Sequence, residues 1–237
     1  MSERRFFDNL FGLYLEPEKS FGELLPPARF WLPLALLVGL NLSFTAVWMW
    51  KVDPLEFFKA EMEWSGQADR VPPEQREAMF AAQARMFPIL AWVGGLVGAP
   101  LFVLLSAAVY SLMFRFFLGG EIPFRRTLTV VGWSNAALAV VSQPLVLTVM
   151  ALKGDWNINP GRALQANLAV ALDRETAPRA LFALLDSMDL FSLFAMYLMY
   201  VGFRVGTGMK PGAVAAGVVG PWAVYVVAKM GLAALGM

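Results

Sequence analysis

Asp186, Asp189 and Lys229 lie in stretches otherwise apolar enough to enter a membrane, and Gln143 sits in another. An ionised carboxylate at the centre of a membrane helix costs ~2.5–3.5 kcal/mol, so each must be offset by protonation, water or a partner. Three residues apart on a continuous helix, Asp186 and Asp189 share one face. At 1.5 Å per residue they fall about 10 and 14 Å inside the outer end of their segment. A tight turn near residue 207 places Asp186 21 residues before it and Lys229 22 residues after it, so the two charges stand at similar depth. Gln143, near the outer end of another span, is a fourth candidate member. Such an intramembrane polar cluster serves either as a clasp within the bundle or as a proton, ion or substrate site. Two carboxylates without further ligands bind hard cations poorly, so no metal site is assigned.

Other chemistry is excluded by composition. The chain has 237 residues, no Cys and no His, which removes thiolate and imidazole metal sites, disulfides, Ser-His-Asp triads and Cys-His nucleophiles. A net charge of +1 gives no basic field for nucleic acid. Gly206-Thr207-Gly208-Met209-Lys210 lacks P-loop spacing, and Gly132-Trp133-Ser134-Asn135-Ala136 lacks the second glycine of a nucleophile elbow. No catalytic residue and no cofactor is assigned, and the protein is read as a non-enzyme.

With 58% hydrophobic and 16% charged residues, and a mean hydropathy of +0.58, the chain belongs in a bilayer. Spanning ~30 Å of hydrocarbon takes about 20 apolar residues. Uncharged runs of 21, 29 and 26 residues begin at Phe30, Met86 and Thr127; runs of 24 from Ala180 and 27 from Pro211 contain the charges named above. The expected fold is all-α: a polytopic bundle of five transmembrane helices, at about 30–50, 87–114, 127–152, 180–203 and 211–233, with short amphipathic interfacial helices. Residues 1–29 form an N-terminal cytoplasmic or interfacial segment, and 30–237 the five-span membrane domain with outer loops 51–86 and 153–179.

Charges scattered before the first apolar run mark the N-terminus as retained, not a cleaved signal. Phe6, Phe7, Leu10, Phe11 and Tyr14 fall on one helical face, suiting a helix in the headgroup plane or a tail docked on the bundle. In the first loop, Asp53-Pro54-Leu55-Glu56 reads as a capped helix start running to about Trp64. A second helix follows Pro72-Pro73 as far as Pro88. The third loop turns at Asn159-Pro160-Gly161 and carries a helix over 162–173.

Small residues spaced by four, Gly94 and Gly98, Gly95 and Ala99, then Gly212, Ala216 and Gly220, permit close backbone approach within the bundle or across a homodimer seam. Pro33, Pro100, Pro144 and Pro221 are read as kinks. Orientation follows Lys and Arg in the loops. The N-terminal segment and the 115–126 and 204–210 loops hold nine basic residues in 48 positions; the two longer loops hold nine in 62, beside ten acids. The bias favours a cytoplasmic N-terminus.

Four segments resemble the Yip1-domain family of multi-pass membrane proteins, in its bacterial branch. Glu16-Pro17-Glu18-Lys19-Ser20-Phe21-Gly22-Glu23-Leu24, followed by Phe30-Trp31-Leu32-Pro33, is similar to the family's Pro, basic, small, Phe approach to span one. Leu118-Gly119-Gly120 with Phe124-Arg125-Arg126-Thr127 and Gly132-Trp133 resembles its approach to span three, without the usual proline at Ala136-Ala137. Asp189-Leu190-Phe191-Ser192-Leu193-Phe194, with Leu198 and Gly202, resembles the Asp-x-Phe-x-x-Trp motif of span four, with Phe194 in place of Trp. Gly206 to Lys210 with Trp222 and Tyr225 completes the match.

The resemblance implies five transmembrane helices and a cytoplasmic N-terminus. Eukaryotic relatives act in vesicle trafficking and associate with Rab-type GTPases and with one another; no Rab-contact residue carries over. The function expected is therefore a membrane organiser or trafficking-like adaptor working through helix packing and contacts with lipids, other membrane proteins or a second copy. The alternative is a small transporter or channel using the Asp, Gln and Lys cluster with proton or cation coupling. The expected location is the bacterial cytoplasmic membrane.

Overall fold

A computed structural model of the chain describes residues 3–66, 71–173 and 176–235, with side chains for all of these but residues 3–5 and 73. Residues 67–70 and 174–175, in the two expected outer loops, lie outside the described residues. Among the described residues, five helices are long and apolar enough to cross a membrane, and there is no strand, only an isolated bridge between Asn167 and Asp189. The protein is an all-α polytopic bundle.

In chain order the helices are α1 (Glu3–Leu15), α2 (Pro17–Leu24), α3 (Trp31–Lys51), α4 (Pro54–Ser65), α5 (Pro73–Val93) and α6 (Ala99–Leu112). They continue with α7 (Phe124–Lys153), the single turn α8 (Pro160–Ala163), α9 (Arg179–Asp186), α10 (Leu190–Thr207) and α11 (Pro211–Ala234). π-helical segments at Gly94–Gly98 and Met113–Phe117 join α5 to α6 and end α6. The helix after Pro73 therefore does not stop at Pro88. It runs through that proline and the glycine-rich π segment, giving one membrane-crossing helix over Glu74–Phe117.

The chain divides into two compact units. The first comprises Met1–Leu36, Leu101–Ala139 and Ala166–Met237. Its centre is the first half of α7, where residues 127–134 are all buried, so every face of the helix is covered by protein. Gly132 sits under Pro33, where an added Cβ would lie 3.0 Å from the proline ring, and Gly202 of α10 faces Val130 and Phe21. Phe114 stacks on Phe203 at 4.4 Å between centroids. α1 is docked on this core: Leu10 and Leu13 are buried, Tyr14 donates to the Ala137 carbonyl and stacks on Phe194, and Phe6 packs on Trp133. Burial pushes the Tyr14 phenol up, which keeps it protonated as the donor.

The second unit comprises Leu37–Pro100 and Val140–Gln165. Asp53 caps α4 as its sequence anticipates, accepting from the backbone N–H of Leu55 at 2.9 Å and of Glu56 at 3.2 Å, and Gly66 closes the helix in the left-handed region that favours glycine. Trp48, Phe57, Phe58 and Phe87 gather into an aromatic core. Trp48 Nε1 donates to the Trp156 carbonyl at 3.0 Å, and Asn157 Oδ1 accepts from the Asp53 N–H at 2.8 Å, tying the loop after α7 to the α3–α4 corner. Arg162 pairs with Glu61 and lies over the Trp64 ring. The helix expected over 162–173 is absent; α8 ends at Ala163, and a 3₁₀ turn occupies Leu168–Ala171. Asn167, whose side chain accepts from the Ala169 N–H, starts that turn from an extended backbone.

Only part of the small-residue set packs within the chain. Gly95 packs, with an added Cβ falling 2.9 Å from Thr45 Oγ1, whereas an added Cβ at Gly94 or Gly98 meets no other element within 4 Å among the described residues. In α11, Val214, Gly217 and Val218 are buried; Gly212 and Ala216 are exposed, and an added Cβ at Gly220 would lie 3.2 Å from the end of the Met113 side chain. A four-residue spacing marks a face but does not say which neighbour it meets.

Candidate functional site

The helix expected over 180–203 is two helices. α9 ends at Asp186, the chain leaves the helix through Ser187 and Met188, and α10 begins at Leu190. Asp189 is the reason for the restart. Its backbone is extended and its carboxylate accepts from the N–H groups of Phe191 and Ser192, both at 2.9 Å. It thus satisfies two of the donors that a helix start leaves open. Asp186 and Asp189 therefore do not share a helical face.

The gap is held open from outside by a short antiparallel pairing. The Leu190 N–H donates to the Ala166 carbonyl at 3.1 Å, and the Leu168 N–H to the Met188 carbonyl at 3.3 Å. Asn167, between them, donates its side-chain amide to Asp186 at 2.9 Å. The other Asp186 oxygen receives Lys229 Nζ at 2.7 Å, and the same ammonium lies 3.2 Å from Ser187 Oγ. Lys229 reaches this point because α9 packs along α11. About a third of each partner's side chain stays exposed: 38% for Asp186 and 32% for Lys229.

Gln143 belongs to the other unit, where it donates to Asn41 Oδ1 of α3. Sequence reasoning missed both amide partners, Asn41 and Asn167. Asn41 was visible as a polar residue in the middle of an apolar run, but Asn167 sits in a loop whose geometry follows from tertiary pairing. Among the described residues, no three Asp or Glu side chains gather where they could hold a metal ion.

Removing the α10 cap tests the local architecture. Asp189→Ala should cost ~0.5–2 kcal/mol, the usual range for losing an N-cap acceptor, while Asp189→Asn should retain most of the stability. Thermal unfolding in detergent reads the difference, and equal loss in both variants would show that charge, not capping, is what Asp189 supplies.

No curated protein and no solved structure matches the chain. The Yip1 domain, however, matches residues 11–232, from the middle of α1 almost to the end of α11, and the chain belongs to the Yip1 domain family.

Proposed function

We propose that the protein is a non-enzymatic membrane organiser of the Yip1 type, acting through helix packing and contacts with lipids and other membrane proteins, a second copy among them. It works in the bacterial cytoplasmic membrane with its N-terminus in the cytoplasm. One observation carries the reading. The polar groups of the α9–α10 break bind one another: Asp186 is held by Asn167 and Lys229, and Asp189 by two backbone N–H groups. A mutually satisfied set of this kind supports a clasp that fixes α9, α10 and α11 as one presenting surface.

The competing reading is a proton- or cation-coupled transporter, and the partial exposure of the Asp186–Lys229 pair favours it. Proteoliposomes containing the native protein should show no proton or cation flux above empty vesicles. Flux that disappears in Asp186→Asn, with expression and melting unchanged, would replace the organiser by the transporter.

Orientation is tested in the naturally cysteine-free chain. A membrane-impermeant maleimide should label Asp155→Cys in intact cells and Glu121→Cys only after lysis. The reverse pattern would invert the topology.

A further inference from the structure

We infer that the end of the first unit where α6 closes and α7 and α11 begin seats the headgroup of an acidic phospholipid. Arg115, Arg125, Arg126 and Lys210 draw in its phosphate, while Phe116 and Phe117 take its acyl chains. Such a seat rests on the organiser reading and gives its lipid contacts a chemical class and a place.

The fold gathers these residues through glycine. α6 ends in the π turn Met113–Phe117, which Gly119 closes in the left-handed region at φ +65°. There the Leu118 N–H donates to the Met113 carbonyl at 3.2 Å and the Gly120 N–H to the Phe114 carbonyl at 2.8 Å. Backbone thus takes two of the last helix carbonyls, and neither needs the Arg115 guanidinium. An added Cβ at Gly120 would lie 3.4 Å from the Phe114 carbonyl oxygen and 2.6 Å from Met209 Sδ. Arg115 and Lys210, next in sequence to those two residues, therefore flank a single glycine. At Gly206, in the last turn of α10, an added Cβ would lie 3.1 Å from Ile122 Cδ1, two residues before α7 begins with Phe124, Arg125 and Arg126.

Charge at this end is not compensated from within. The stretches 113–127 and 201–213 hold five bases and one acid, Glu121. Arg204 is held by Glu18 of α2 at 3.6 Å. Among the described residues, Arg115, Arg125, Arg126, Lys210 and Glu121 take part in no ion pair. The helix starts point the same way. α4 and α10 open on Asp53 and Asp189, which accept from their first N–H groups. α7 instead follows Pro123 and α11 follows Lys210, with no acid in either first turn and, among the described residues, no side chain accepting there. Open N–H groups beside bases are donors for an anion, and here the anion has to come from outside the chain. Bases on the cytoplasmic side set orientation in many membrane proteins. Bases left unpaired around two open helix starts do more, because they remain to bind once the chain is inserted.

The aromatic pair decides between a lipid and a soluble phosphate. Phe116 and Phe117, at the end of a membrane-crossing helix, are each 78% exposed. Apolar rings turned outward beside bases fit the level where headgroups meet acyl chains. Helix length agrees. α10, which ends here at Thr207, has 18 residues, about 27 Å, close to the ~30 Å of hydrocarbon, so this end lies at the membrane boundary. Each Lys or Arg near an anionic membrane surface strengthens binding by about fivefold.

The absence of cysteine makes this testable in the full chain. Phe116→Cys carries a single fluorophore at the seat, and Leu152→Cys, 82% exposed at the far end of α7, carries it for comparison. Phosphatidylcholine liposomes contain a brominated quencher lipid at one mole fraction, either phosphatidylglycerol or phosphatidylcholine. At residue 116 the phosphatidylglycerol quencher should act several-fold more strongly than the phosphatidylcholine one; at residue 152 the two should act alike. Arg115→Gln with Lys210→Gln, both exposed, should melt like the native protein and bring the ratio at residue 116 back toward one. Equal quenching by the two lipids at residue 116, or a preference unchanged in the double variant, would overturn the inference. So would loss of the preference in inorganic phosphate at constant ionic strength, which would make the ligand a soluble anion. Shielding of residue 116 from both quenchers would overturn it too, because a protein would then cover this end. Should Phe116→Cys fail to fold, Phe117→Cys takes its place. None of these outcomes changes the expected absence of proton or cation flux, so the seat and the organiser reading fail separately.

Discussion

Leucine at Gly202 should leave the protein barely folded in detergent. A Cβ there would lie 2.7 Å from Val130 Cγ1 and 3.1 Å from two ring atoms of Phe21, and both neighbours are fully buried. Overpacking a filled core costs ~1–3 kcal/mol, and a whole leucine side chain belongs at or above the upper end. The contrast is leucine at Gly94 or Gly98, which should melt close to the native protein because no other element among the described residues lies within 4 Å of either Cβ position. Differential scanning fluorimetry on the native tryptophans makes the comparison. Equal melting of Gly202→Leu and Gly94→Leu would show that α10 does not press on α7 as described.

Lys229→Met should be more damaging than Lys229→Met combined with Asp186→Asn. The single change strips Asp186 of its cation and leaves a carboxylate held only by Asn167. An unsatisfied charged group left in place costs about 1–3 kcal/mol or more. The figure should stay below the ~3–5 kcal/mol of a fully enclosed pair, because about a third of each side chain remains exposed. The double variant removes both charges and should recover part of the loss. Strict additivity in this cycle would mean the 2.7 Å contact contributes nothing to stability.

The legible parts of this fold were those set by local physics. Long apolar runs, three of them free of charge, mark the five spans, Asp53-Pro54 defines the start of α4, and Gly208 with Pro211 defines the turn that brings Lys229 back toward Asp186. The break at Ser187–Met188 was not legible as a break, because Leu-Leu-Asp-Ser-Met-Asp-Leu is compatible with one continuous helix. What ends α9 is the pairing of residues 166–168 with 188–190, a tertiary contact that no periodicity announces. Asp189 therefore reads as a buried charge in sequence and as a helix cap in structure. Which glycine packs within the chain was illegible for a related reason. Gly94, Gly95 and Gly98 satisfy the same spacing rule, but only the position of Thr45 on α3 makes Gly95 the contact.

The enclosed first half of α7 also constrains when the first unit can be completed during synthesis. Its cover comes from both extremes of the chain: α1 and α2, made first, and α10, made near the end. Tyr14 stacks on Phe194 across 180 positions and bonds to Ala137 across 123. Contacts of such sequence separation carry a large loop-closure cost and form slowly. Until α10 emerges, Val130 and the nascent N-terminal helices lack the wall that Gly202 and Phe203 supply, so this core closes only once nearly all of the chain has been made.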